Sequence, residues 1–148
     1  MSDDEADADG FDAQQADGAD IGLAAALAEL GCDPALLDLL QPFEQHQPPV
    51  VAIRSTSKTG GFLLSGALGC QAAIYLGPRR LYVALTPTDA LAVAARTRAE
   101  VTDKDNATTR HLRVLAGDLV DGGERNRIRA AITTALDLSR ERPRNASP

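Results

Sequence analysis

Apolar positions are sparse over residues 1–19, where Asp, Ala and Gly recur and Phe11 is the only aromatic. Such a stretch cannot bury enough surface to offset its chain entropy and is expected to be a disordered acidic arm. From Asp20 the pattern turns helical. Ile21, Leu23, Leu27 and Leu30 fall on one face behind a capping Asp20, and Gly31 supplies a left-handed stop. Asp33 then stands as N-cap before Pro34, and Leu36, Leu37 and Leu40 make a second stripe that Pro42 ends. Both helices are short, so each needs tertiary packing or a partner to persist. Residues 42–49 are polar and proline-rich, favour extended backbone, and read as a linker after the helical segment 20–41.

Beyond the linker the period changes. Val50-Val51-Ala52-Ile53 is short, apolar and β-branched, the mark of a buried strand, whereas Phe62-Leu63-Leu64 is either a second strand or a turn of helix. Ala72-Ala73-Ile74-Tyr75-Leu76 and Leu81-Tyr82-Val83-Ala84-Leu85 flank Gly77-Pro78-Arg79-Arg80 and predict a hairpin with a four-residue connection. Thr86, Pro87 and Asp89 form a helix start, the hydroxyl taking a first-turn amide, and the helix should run to about Arg96. Residues 100–102 and 108–115 read as another antiparallel pair. In the second of these Arg110, Leu112 and Val114 share one face, and Thr109, His111, Arg113 and Leu115 the other, polar and basic one. After Gly122-Gly123, Ile128, Ala131, Ile132, Ala135 and Leu136 follow a helical spacing and are expected in the core. The fold class is therefore α+β: an antiparallel sheet with covering helices over residues 50–140, preceded by two short helices and the acidic arm, with 141–148 frayed.

Length sets a ceiling. The 148 residues suffice for one modest core and are too few for a barrel of about 250 residues, and no apolar run approaches the ~18 residues of a membrane span. The net charge of −6 conceals a split: residues 1–48 carry 12 acids and no Lys or Arg, while residues 49–148 carry all 15 Lys and Arg against 9 acids. An acidic arm joined to a basic domain points to phosphate-bearing or acidic partners, the alternative being an arm that only maintains solubility. The N-terminus has neither a basic n-region nor an apolar h-region, so a cytoplasmic location without membrane association is expected. Two cysteines far apart, Cys32 and Cys70, are read as ordinary thiols.

Candidate chemistry centres on residues 54–61, RSTSKTGG. Ser55 to Lys58 fits S-x-x-K and Lys58 to Gly60 fits K-T-G, but those motifs act from separate elements and here share one lysine. The G-x-x-x-x-G-K-[ST] order of a phosphate loop is also absent, which leaves a solvated turn as the plainer reading. Cys32, His46, Cys70 and His111 lack metal-ligand spacing, and neither a metal nor a cofactor is expected. No nucleophile, base and orienter can be assembled, so no catalytic residue is assigned.

From Arg80 onward, the strand LYVALTP, the helix opening Thr86-Pro87-Thr88-Asp89-Ala90, the strand TTRHLRVL and the final helix ending ALDLS resemble the YjbR-like (MmcQ/YjbR) small proteins. The resemblance spans about residues 80–140. It implies a double-wing α+β fold with proposed DNA binding and no catalytic residues; the strand aromatic of that family, commonly Trp, is missing, with His111 near its place.

Two functions follow as expectations. One is a non-enzymatic module whose basic face binds nucleic acid through Arg54, Lys58, Arg79, Arg80, Arg110, His111 and Arg113, with the acidic arm competing for it. The other is a protein-interaction adaptor, or a homodimer, built on Leu23, Leu27, Leu30, Leu36, Leu37 and Leu40.

Overall fold

The computed structural model describes residues 20–55, 60–105 and 108–143, with the side chains of 103–105 excepted. Within them the chain forms helices α1 (Leu23–Leu30) and α2 (Pro34–Leu40) and a 3-10 turn, Gln41–Gln45. Strands β1 (Val51–Arg54), β2 (Phe62–Ser65), β3 (Ala72–Leu76) and β4 (Arg80–Leu85) follow. Helix α3 (Pro87–Ala94), strands β5 (Glu100–Asp105) and β6 (Arg110–Leu115), a second 3-10 turn (Ala116–Asp118) and helix α4 (Gly122–Arg140) complete the described chain. The strands make one six-stranded sheet, ordered β1-β2-β3-β4-β6-β5, with every pairing antiparallel. The α+β class expected from the element order is the class observed.

Strands β1 to β4 read as continuous apolar runs because both faces of the sheet are buried, which removes the alternation of a half-solvated antiparallel sheet. On the first face Ala52, Leu64, Ile74, Val83 and Leu112 stand in one cross-strand row. All four helices deliver their buried apolar side chains to this face, including Leu36 of α2 and Ile128 and Ile132 of α4. The second face holds a separate cluster, Leu63, Ala72, Tyr75, Tyr82 and Ala84, to which strands alone contribute.

Several local expectations change. Asp20 does not cap α1; Gly22 holds that position, and the Asp20 carboxylate instead takes the amides of Gly22 at 2.8 Å and Ala52 at 3.1 Å. With the Ile21 amide on the Ala52 carbonyl, the chain is thereby pinned to β1. Pro42 does not end the second helical segment, because the 3-10 turn carries it on and buries Phe43 in the same core as the sheet. The β3–β4 connection is three residues, since Arg80 already pairs with Leu115. Helix α4 begins at Gly122 with Asp121 as N-cap, so the two glycines lie inside the helix and do not separate it from a loop.

The C-terminal end of α4 closes against the sheet through Ser139, 3% exposed. Its hydroxyl accepts the Gly66 amide at 3.0 Å and donates to the Gln71 carbonyl. A side chain at Gly66 would collide with the Leu136 carbonyl and lie 2.7 Å from Arg140 Cγ, so only glycine allows this approach. Beyond the helix, Arg142 accepts the Gln71 amide at 2.7 Å on its carbonyl and donates to Thr109 at 2.6 Å through its guanidinium. The expectation of a frayed end at 141–143 is thus corrected; 144–148 lie outside the described residues, as does the arm 1–19.

Candidate functional site

The sheet register decides which cationic residues can act together. Arg54 lies at the outer end of β1 on the first face, opposite Phe62. It donates through Nε to Glu29 of α1 at 2.9 Å, forms an ion pair with the same carboxylate, and sits 5.9 Å from the Phe62 ring centroid. Arg54 is therefore engaged in joining α1 to the sheet edge. Arg110 pairs with Leu85, which also places it on the first face, toward the start of α3. Lys58 lies outside the described residues.

Arg80, His111 and Arg113 share the second face. The pairs Arg80↔Leu115, Tyr82↔Arg113 and Ala84↔His111 set the three around Tyr82: Arg113 directly opposite it, His111 diagonal to it, and Arg80 two residues before it on β4. Arg113 is paired in register with Glu100 of β5 and makes an ion pair with it. His111, expected on a solvated strand face, is 7% exposed and stands opposite Ala84 of the second-face cluster. Arg79 is exposed in the β3–β4 turn, immediately beside Arg80, and its carbonyl accepts the Ala116 amide at 2.9 Å. The seven cationic positions named from sequence thus do not form one patch. Arg79, Arg80, His111 and Arg113 come together, and Arg54 and Arg110 belong elsewhere.

One row of the second face crosses all six strands: Ile53, Leu63, Tyr75, Tyr82, Arg113 and Glu100. The rings of Tyr75 and Tyr82 lie 6.4 Å apart at an interplanar angle of 52°, an arrangement aromatic pairs favour. The Tyr75 hydroxyl donates to the Gly60 carbonyl, and Gly61, at φ +89°, has no room for a Cβ because the Leu76 carbonyl lies 2.5 Å away. The glycines of the RSTSKTGG segment therefore serve to seat the chain over Tyr75; the middle of that segment, 56–59, lies outside the described residues. Sequence reading missed the tyrosine pair because a continuous apolar strand does not reveal which of its two faces carries a given ring.

The leucines singled out for a partner are taken up by the chain itself. Leu23, Leu27, Leu36 and Leu40 are buried in the main core, and Leu30 and Leu37 are half-buried against it. A different set fixes these helices to α4: Arg129 donates to the carbonyls of Leu39 at 3.1 Å and Asp38 at 2.9 Å, and Arg125 lies 3.1 Å from the Asp38 carboxylate.

Between α3 and α4 a cleft of about 220 Å³ is lined by Leu85, Val93 and Ala131 together with Asp89, Arg96 and Arg127. Its open shape and mixed charge single out no ligand. At the start of α4, the Glu124 amide, 2.8 Å from the Asp121 carboxylate, holds that carboxyl below its usual range, with Arg98 and Arg127 adding to the effect. The Glu124 side chain is buried and accepts the Arg98 amide at 2.7 Å, which ties the α3–β5 loop to α4. Burial raises the Cys32 thiol above its ordinary value, and Cys70 is buried beside the α4 terminus, so neither is a poised nucleophile. Among the described residues no group of three or more His, Cys, Asp or Glu is placed to hold a metal ion, and no helix is long and apolar enough to cross a membrane. Comparison with protein-family models, with curated proteins and with solved structures gives no match for this chain.

Proposed function

We propose that this chain is a non-enzymatic module that binds nucleic acid through the basic end of its second sheet face, Arg79, Arg80 and Arg113, with its acidic N-terminal segment in electrostatic competition. The observation that carries the reading is the register: two arginines and a histidine surround Tyr82 on one face, and Arg79 extends that group into an exposed turn. Guanidinium groups so spaced can follow a phosphate backbone, and Arg is suited to bidentate phosphate contacts. The charge split along the chain supports the same reading, because the acids of residues 1–48 oppose the excess of cations that follows. The resemblance of residues 80–140 to YjbR-like proteins leans the same way, since it covers the strands bearing Arg80 and Arg113.

The test is fluorescence anisotropy of labelled 20-nucleotide single and double strands with the full chain, from 50 to 300 mM salt. Binding should weaken steeply with salt, and each of Arg79→Ala, Arg80→Ala and Arg113→Ala should lower the slope by about 0.7–0.9 per lost phosphate contact. Binding that survives all three substitutions together, or none at 50 mM salt even after the acids of residues 3–17 are neutralised, refutes the proposal.

A further inference from the structure

The outer side of α3 and α4 carries features that the described contacts leave unused. Leu91 of α3 is 57% exposed, one of three large apolar side chains so placed among the described residues. On the same helix, Asp89, Ala92, Val93 and Arg96 line the α3–α4 cleft, across which α4 presents Arg127, Ala130 and Thr134. Ala92 and Ala130 are exposed. The charges along this face are segregated. Asp89 lies three residues before Ala92, and Arg96 four residues after it, in the turn that ends the helix. The Arg98 amide on the Glu124 carboxylate sets the C-terminal end of α3 beside the N-terminal end of α4, so Arg127 joins Arg96 at the cationic end. Neither Asp89 nor Arg96 has an ion-pair partner among the described residues.

We propose that this face binds a second copy of the chain, about a two-fold axis that crosses α3 at right angles near Ala92. Charge selects the occupant: a surface acidic at one end and cationic at the other is complementary to itself when turned end for end. At 1.5 Å per residue Asp89 stands ~4.5 Å to one side of Ala92 and Arg96 ~6 Å to the other. The axis therefore brings each Asp89 opposite the partner's Arg96, and Arg127 strengthens the same cationic end. Leu91, one residue from the axis, meets the partner's Leu91 and leaves water. The alanines at the crossing allow the helices to approach toward the short end of the usual separation of about 8–10 Å. The open shape and mixed charge that single out no small ligand are thus what association with a like surface requires. The face is small. Two helical stretches ~12 Å long offer less than the roughly 800 Å² per partner of a standard interface, so the dimer is reversible. Because α3 and α4 pack on the first sheet face, the two second faces of such a dimer point outward. A bivalent grip on nucleic acid, the functional meaning of that arrangement, rests on the preceding proposal; the dimer itself does not.

Sedimentation of the full chain without nucleic acid, from about 1 to 500 µM, should show a monomer passing reversibly to a dimer. Leu91→Ser, Asp89→Arg and Arg96→Asp should each weaken the dimer roughly tenfold or more, because a two-fold axis counts every change twice. All three side chains are exposed, so far-ultraviolet circular dichroism should stay native. The decisive sample is an equimolar mixture of Asp89→Arg and Arg96→Asp chains. Each arginine then faces an aspartate of the other chain, and a heterodimer of near-native affinity should return. A chain that remains monomeric at every concentration leaves the face to a different protein or a small ligand and overturns the proposal. So does a dimer indifferent to all three substitutions, which assigns association to another surface, and so does a mixture that fails to associate more tightly than either variant alone. Dimerisation is read without nucleic acid, so its failure leaves the proposed function standing, whereas a dimer that binds no nucleic acid sinks the function and keeps the interface.

Discussion

Replacing Ser139 with alanine removes a single oxygen from the junction between α4 and the β2–β3 connection. In the native chain that oxygen accepts the buried Gly66 amide and donates to the Gln71 carbonyl, and no other described group stands in for it. A buried donor left without a partner costs about 1–3 kcal/mol, and the lost bond to Gln71 adds roughly 0.5–1.5 kcal/mol. The methyl group that remains fills nearly the same space, so the cavity contribution is small. The expected loss is therefore about 3 kcal/mol, which for a chain of this length lowers Tm by roughly 6–12 °C. Urea titration followed by circular dichroism should show a lower midpoint at unchanged slope, because the surface exposed on unfolding is the same. Hydrogen exchange of the Gly66 amide should accelerate beyond that of amides in β3, since the contact is lost locally first. A change below about 0.5 kcal/mol would mean that the serine network contributes nothing net, and the account of how α4 is fastened would be wrong.

Further substitutions probe other junctions. Leu36→Ala, at a fully buried position between α2 and the sheet, should cost about 2–5 kcal/mol by urea titration; a neutral result would free this leucine for a partner surface. Arg129→Ala removes the donors to the Leu39 and Asp38 carbonyls and should cost about 1–2 kcal/mol, with Arg129→Lys failing to restore it because one ammonium cannot reproduce the fork; full rescue by lysine counts against the capping role. The Asp121 carboxyl is held below its ordinary value in the folded chain, chiefly by the Glu124 amide, so the native state binds fewer protons than the unfolded one at acid pH. Its contribution is complete above the unfolded value of about 3.9 and is lost as pH falls through the depressed one. The Tm gap between the native chain and Asp121→Ala should accordingly be largest near pH 6 and shrink toward pH 2.5; a constant gap contradicts this.

Elements governed by local rules were legible before any coordinates. Asp33 before Pro34, Thr86 before Pro87, and Gly31 at φ +66° cap their helices as their side chains dictate, and the stripe of α4 is buried at every position named. Features set by long-range pairing were not. The strand run RHLRVL correctly separated Arg110 from Arg113, but nothing in it tells that β6 lies between β4 and β5, and only that order brings Arg113 to Tyr82 and Glu100. The capacity of Asp20 to bond Ala52 depends on a contact 32 residues away, which a capping rule cannot see. Similarly, a leucine stripe looks the same whether it meets a partner or its own sheet; the choice is made by the six strands that offer it a surface.

The pinning of residues 20 and 21 to Ala52 has a consequence at the scale of many molecules. A sheet of six strands has two margins, and an unoccupied margin invites another chain to add a strand, the first step toward fibrils. Here one margin has both backbone groups of Ala52 already satisfied from within the chain, and the other loses regular register between Val101 and Asp105 in a stretch dense with charge. Chain growth by strand addition is thus discouraged on either side.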